Sequence, residues 1–239
     1  MTQEKIFTDS GDSSSDLANK RKQFIEFFHV PTGLSVKFKA FITQFSDQYS
    51  SKWNDEELFG RMDPVSTFKG TGRIITLGWE VVAGSEEEAI ENLQACSLLI
   101  SMLYPDYNSK ELGGIISTSP LFRLRFMNLI QNVISPGSSA KTGGLLGKLS
   151  GLTYEPNLDV GFFDPININS YDGEKVYPKA LKLQCEYTVL HEHPLGWFKS
   201  QSRSNFDKFP YGNRKDSTTD SETNKTQLAG NQVLAKQGE

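Results

Sequence analysis

The stretch RIITLGWEVV, residues 73–82, alternates at period two, with Ile75, Leu77, Trp79 and Val81 on one side and Ile74, Thr76, Gly78 and Glu80 on the other. Successive side chains of a strand point to opposite faces, so this pattern predicts a strand with one buried and one solvated face. ALKLQCEYTVL, 180–190, repeats the pattern: Leu181, Leu183, Cys185, Tyr187 and Val189 oppose Lys182, Gln184, Glu186 and Thr188. LSVKFKAF, 34–41, sets Leu34, Val36, Phe38 and Ala40 against Ser35, Lys37 and Lys39. LFRLRFMNLI, 121–130, sets Phe122, Leu124, Phe126 and Ile130 against Arg123 and Arg125, and GKLSGLTYEP, 147–156, supplies a further strand after a flexible SPGSSAKTGG, 135–144. A solvated face on each strand is what antiparallel pairing allows.

One segment departs from period two. SEEEAIENLQACSLLISMLYPDY, 85–107, opens on Ser85 with Glu88 three residues on, the spacing of a capping box, and its first-turn carboxylates favour the helix dipole. It predicts a helix over 85–104 ended by Pro105, with Ala89, Leu93, Cys96, Ile100, Leu103 and Tyr104 on one stripe that Ile90 and Leu99 broaden. Strands, one long helix and strands again give an α+β, mainly β chain, an antiparallel barrel or sandwich with one flanking helix.

The chain of 239 residues is 37% hydrophobic and 23% charged, polar for a single globule of that length. The surplus polarity lies at the ends. Residues 1–22 and 200–239 are too poor in apolar groups to offset the entropy of ordering them, so they read as extended polar arms around a body at 23–199. The net charge of −4 excludes a general nucleic-acid binder or a polybasic membrane-surface protein. There is no apolar signal segment at the N-terminus and no run long enough to span a bilayer, so no membrane insertion is expected and the setting is the cytosol or a particle assembled there. Cys96 and Cys185, both in apolar stretches, read as buried thiols in a reducing compartment.

Residues suited to chemistry are few. His191 and His193 flank Glu192, and on a strand both imidazoles would share a face, which permits a metal site completed by Asp159 or Asp164. The helical HExxH spacing is absent, so the principal expectation is no metal, no cofactor and no enzyme activity. His29 reads as a half-buried histidine. TGGLLGK, 142–148, is glycine-rich, yet Leu149 stands where a P-loop needs a hydroxyl. No GxSxG elbow occurs. What remains is the stretch from Ser51 to Val81, in which Trp53, Phe59, Arg61, Asp63, Pro64, Phe68 and Arg73 fall in a long loop between two strands. Long loops rich in Trp and Arg are interface material, although Arg61 and Asp63 also suit a local turn-stabilising ion pair.

The blocks GRMDP (60–64), RIITLGW (73–79), MLYP (102–105) and HEHPLGW (191–197) occur in an order that resembles baseplate proteins of contractile bacteriophage tails. More narrowly, the chain is similar over about 30–198 to the tube-initiator or hub-to-tube adaptor proteins of the tail-tube fold. The resemblance implies two antiparallel sheets with a flanking helix, and six copies closing into a ring whose lumen passes DNA without reading its sequence. It implies tail-tube and baseplate-hub proteins as partners, and a place in the virion tail after assembly in the host cytoplasm. Contacts with the next subunit or ring are then expected from Trp53, Phe59, Arg61, Asp63 and Arg73, and from His191, His193 and Trp197. The alternative is a metal-binding β-domain enzyme using His191, Glu192 and His193. A carbohydrate-binding module of the kind some adaptors carry has no separate domain in this sequence.

Overall fold

A computed structural model of the chain describes residues 18–39, 41–107, 116–135, 137–163, 175–195 and 209–211. Trp197, Asp164, Ala40 and most of both polar arms lie outside the described residues. The strands are β1 (Phe24–His29), β2 (Ser35–Lys39), β3 (Phe41–Glu56), β4 (Val65–Val82), β5 (Asp106–Tyr107), β6 (Ile116–Thr118), β7 (Phe122–Arg125), β8 (Leu145–Pro156), β9 (Phe162–Phe163), β10 (Tyr177–Pro178) and β11 (Ala180–Val189). The helices are α1 (Glu86–Ser101) and the short α2 (Ala140–Gly143), and residues 18–21 are also helical. The architecture is mainly β with antiparallel pairing, as the alternation requires.

Seven strands form one sheet in the order β2-β1-β7-β8-β11-β4-β3, and β5-β6 and β9-β10 form two small ribbons. The two edges of the large sheet, β2 and β3, are consecutive in the chain. A single residue separates Lys39 from Phe41, so these strand ends stand no more than about 7.6 Å apart, two Cα steps. The sheet therefore curls until its two edge strands meet at this corner, a barrel with no β2–β3 ladder among the described residues. Phe27 of β1 and Phe38 of β2 each pack 5.6 Å, centroid to centroid, from Trp79 of β4, strands that lie far apart in the sheet order.

The interior is the face that the alternation predicts. Ile75, Leu77, Trp79 and Val81 are buried with Leu181, Leu183, Cys185, Tyr187 and Val189, and with Phe122, Leu124, Phe126 and Ile130. Each large side chain so buried stabilises by about 1.5–3 kcal/mol. The β4–β11 register, Trp79 opposite Leu183 and Leu77 opposite Cys185, places these rows side by side. The Tyr187 hydroxyl lies 2.7 Å from the carbonyl oxygens of both Phe122 and Leu145, tying β11 to β7 and β8. Both cysteines are free and buried, and burial pushes each thiol up to about 12.

Helix α1 begins as its sequence dictates, the Ser85 hydroxyl accepting from the Glu88 amide at 3.2 Å. The reciprocal half of the box is displaced by one residue, because the Glu88 carboxylate accepts from the Gly84 amide at 2.9 Å and pairs with Lys39. Lys39, expected on the solvated face of β2, is thus buried. Ala89, Cys96, Leu99 and Met102 form the buried stripe, whereas Tyr104 is exposed. The segment expected to be flexible after Ser135 contains α2, whose first amide, on Ala140, donates 2.7 Å to the buried Glu26 carboxylate.

Candidate functional site

Beyond the barrel the chain builds a feature that has no role inside it. β4 pairs with β11 only as far as Ile74, opposite Thr188, but continues paired with β3 out to Val65 opposite Glu56. The segment expected as a loop is therefore mostly the distal half of a β-hairpin, with only residues 57–64 unpaired at its tip. The ribbon past Ser50 and Gly72 is about 20 Å long at 3.3–3.4 Å per residue. Every residue from 51 to 64 is exposed.

Along the hairpin's inward side the register runs Ile42–Trp79, Phe45–Leu77, Asp47–Ile75, Tyr49–Arg73 and Ser51–Thr71. After a bulge at Lys52/Trp53 it resumes with Trp53 opposite Phe68. Those two rings meet edge to face at 5.2 Å and remain more than half exposed. An exposed aromatic pair on a two-stranded ribbon buries little of its own surface. Phe59 and Met62 at the tip are fully exposed, and Arg61 and Asp63 are exposed and not paired with each other. Ser66 donates to Asp55 across the ribbon at 2.5 Å, which keeps its far end paired.

Arg73 corrects the expectation that it reaches a partner. It is 1% exposed, and its Nε and Nη2 donate to the two oxygens of Asp47 at 2.9 and 2.7 Å. The Tyr49 ring centroid lies 5.2 Å from the guanidinium and that of Phe209 5.9 Å from it, and the two rings meet edge-on at 6.1 Å. The Tyr49 and Tyr211 hydroxyls donate to Asp47 at 3.0 and 3.2 Å. Burial raises the Tyr49 hydroxyl well above its ordinary range, with Asp47 adding to the effect. Arg73 is a structural ion at the hairpin root, because the alternation that buries Ile75 and Leu77 carries inward to position 73 as well.

His191, Glu192 and His193 follow β11 at the barrel's end and are exposed. Arg123 clamps Glu192 with two bonds of 2.8 and 2.5 Å, which removes that carboxylate from any set with the imidazoles. Burial, then the Arg73 charge, lowers His191. Among the described residues no group of three or more His, Cys, Asp or Glu side chains is placed to hold a metal ion, so the described part of the alternative metal set does not converge. His191 instead lines a cleft with Ile134, Leu146, Leu190 and Phe209. The glycines of TGGLLGK have a packing cause: a Cβ on Gly147 would stand 2.4 Å from the Thr188 carbonyl and 2.6 Å from the Tyr187 ring.

No protein-family model matches the chain, and no curated protein matches it. Among solved structures it is similar to a chain of the anti-feeding prophage baseplate, determined by cryo-electron microscopy with sixfold symmetry imposed. The likeness covers 69% of this chain and 87% of that one, at 11% identity and a TM-score of 0.25. A likeness of this degree assigns neither partner nor activity.

Proposed function

We propose that the protein is a non-catalytic structural subunit of a contractile-tail baseplate, closing with copies of itself into a ring that joins the hub to the tail tube. The observation that carries its self-assembly is the hairpin beyond Ser50 and Gly72, a paired ribbon with an aromatic couple and an apolar tip that no part of the same barrel covers. Such a ribbon costs conformational entropy to order and repays it when a partner buries Trp53, Phe59 and Met62. The baseplate setting rests on the ordered blocks GRMDP, RIITLGW, MLYP and HEHPLGW, with the ring as a head-to-tail contact repeated around a cyclic axis. Six copies, a lumen for DNA and the hub and tube proteins as neighbours belong to the same reading.

The test is to trim the hairpin by joining Ser51 to Thr71 through Asn-Gly, a turn suited to a two-residue hairpin. Light scattering and electron microscopy of the full chain at rising concentration should show closed rings, and the trimmed chain should stay monomeric. Rings that form equally well without the hairpin would remove its role. A full chain that stays monomeric, both alone and with tube or hub proteins, would end the reading altogether.

A further inference from the structure

The residues described in the polar C-terminal segment are Phe209, Pro210 and Tyr211, and they sit where the hairpin leaves the sheet. β4 loses its β11 neighbour after Ile74, so from Arg73 outward the ribbon has two strands and no third to fix its direction. Two-stranded ribbons are marginal by themselves. Phe209 packs at that point, 6.1 Å edge-on to Tyr49 and over the Arg73 guanidinium, and the Tyr211 hydroxyl donates to Asp47. The Tyr211 carbonyl meanwhile accepts from Asn128, which belongs to the turn after β7 at the other side of the sheet. The segment spans from the hairpin root to the turn after β7, a strand that pairs with neither arm of the hairpin.

We infer that Phe209–Tyr211 is a strap that braces the hairpin root against the barrel, so that the direction in which the hairpin projects depends on the C-terminal segment. One attachment would leave a hinge, whereas attachment to Asp47 and Arg73 on one side and Asn128 on the other resists rotation about it. The purpose of the brace, presenting the hairpin to a neighbouring copy, rests on the assembly reading above. The brace itself does not. Its consequence is coupling: whatever engages the chain beyond Tyr211 also acts on the hairpin, because both meet at the same ion pair.

Hydrogen exchange on the full-length chain tests this, comparing it with F209A/Y211F and with a chain ended after Tyr211. In F209A/Y211F the amides of residues 47–52 and 70–73 should exchange roughly fivefold to tenfold faster while those of Ala180–Val189 keep their rates, since only local opening is eased. The chain ended after Tyr211 should match the full chain. Unchanged exchange at the hairpin root would overturn the strap. So would an equal acceleration in β11, which would make the segment a contributor to global stability only. A full chain that stays monomeric alone and with tube or hub proteins but shows the local acceleration would overturn the assembly reading and leave the strap standing.

Discussion

At the scale of single residues, the most consequential contact is the Asp47–Arg73 pair, whose side chains are 2% and 1% exposed. Removing one member of a buried pair strands the other's charge, which costs about 3–5 kcal/mol, so Asp47→Ala should lower unfolding stability by that order. The double change Asp47→Leu with Arg73→Met, which leaves no stranded charge, should recover much of the loss in a urea titration. His29 gives the molecule a pH dependence of known sign. It is buried, its Nδ1 lies 2.9 Å from the Thr32 hydroxyl, and its Nε2 is buried without a partner. Burial lowers it from its ordinary 6.5 against a smaller opposing effect of Asp106. The native state thus holds the neutral imidazole while the unfolded chain protonates first. Stability should be full above about pH 6.5 and fall as pH drops from there through the native value. His191 contributes in the same direction. Chemical unfolding followed from pH 7.5 to 5.5 should show a smaller decline in His29→Gln than in the wild type.

Individual elements were legible where one face of a strand or helix is buried and the other wet. β4, β7, β8 and β11 follow their alternation, and α1 follows its cap, because burial imprints a period on the sequence. β1 carries no such period, since all six of its residues, Phe24–His29, are buried. The distal hairpin carries none for the opposite reason: from Ser51 to Pro64 both faces are exposed, so nothing selects apolar residues at alternate positions. For Arg73 and Lys39 charge suggests exposure, whereas each is buried against a carboxylate, Asp47 or Glu88, contributed by another segment. Of the expected interface residues, Trp53, Phe59, Arg61 and Asp63 share the hairpin, and His191 and His193 lie at the barrel's end. Gly147 shows how a motif search can be drawn to a packing constraint. Its missing side chain makes room for the Tyr187 ring, so Gly147→Ala should force β8 away from β11 and cost about 2 kcal/mol, read as a lowered denaturant midpoint.

For the whole molecule, the barrel and the hairpin are separable in energy although continuous in chain. The residues that trimming from Lys52 to Gly70 would remove include none of the buried core, so the trimmed chain should unfold with a midpoint close to that of the full chain while losing assembly. The continuity matters in another respect. β4 runs without interruption from Val65 near the tip to Val82 at its far end, and nine of its residues face β11 rung for rung. A pull applied at the tip therefore enters the barrel along the strand direction and loads those nine rungs in shear, all together, instead of peeling them one after another. A handle attached in this way transmits force without opening the body it is attached to.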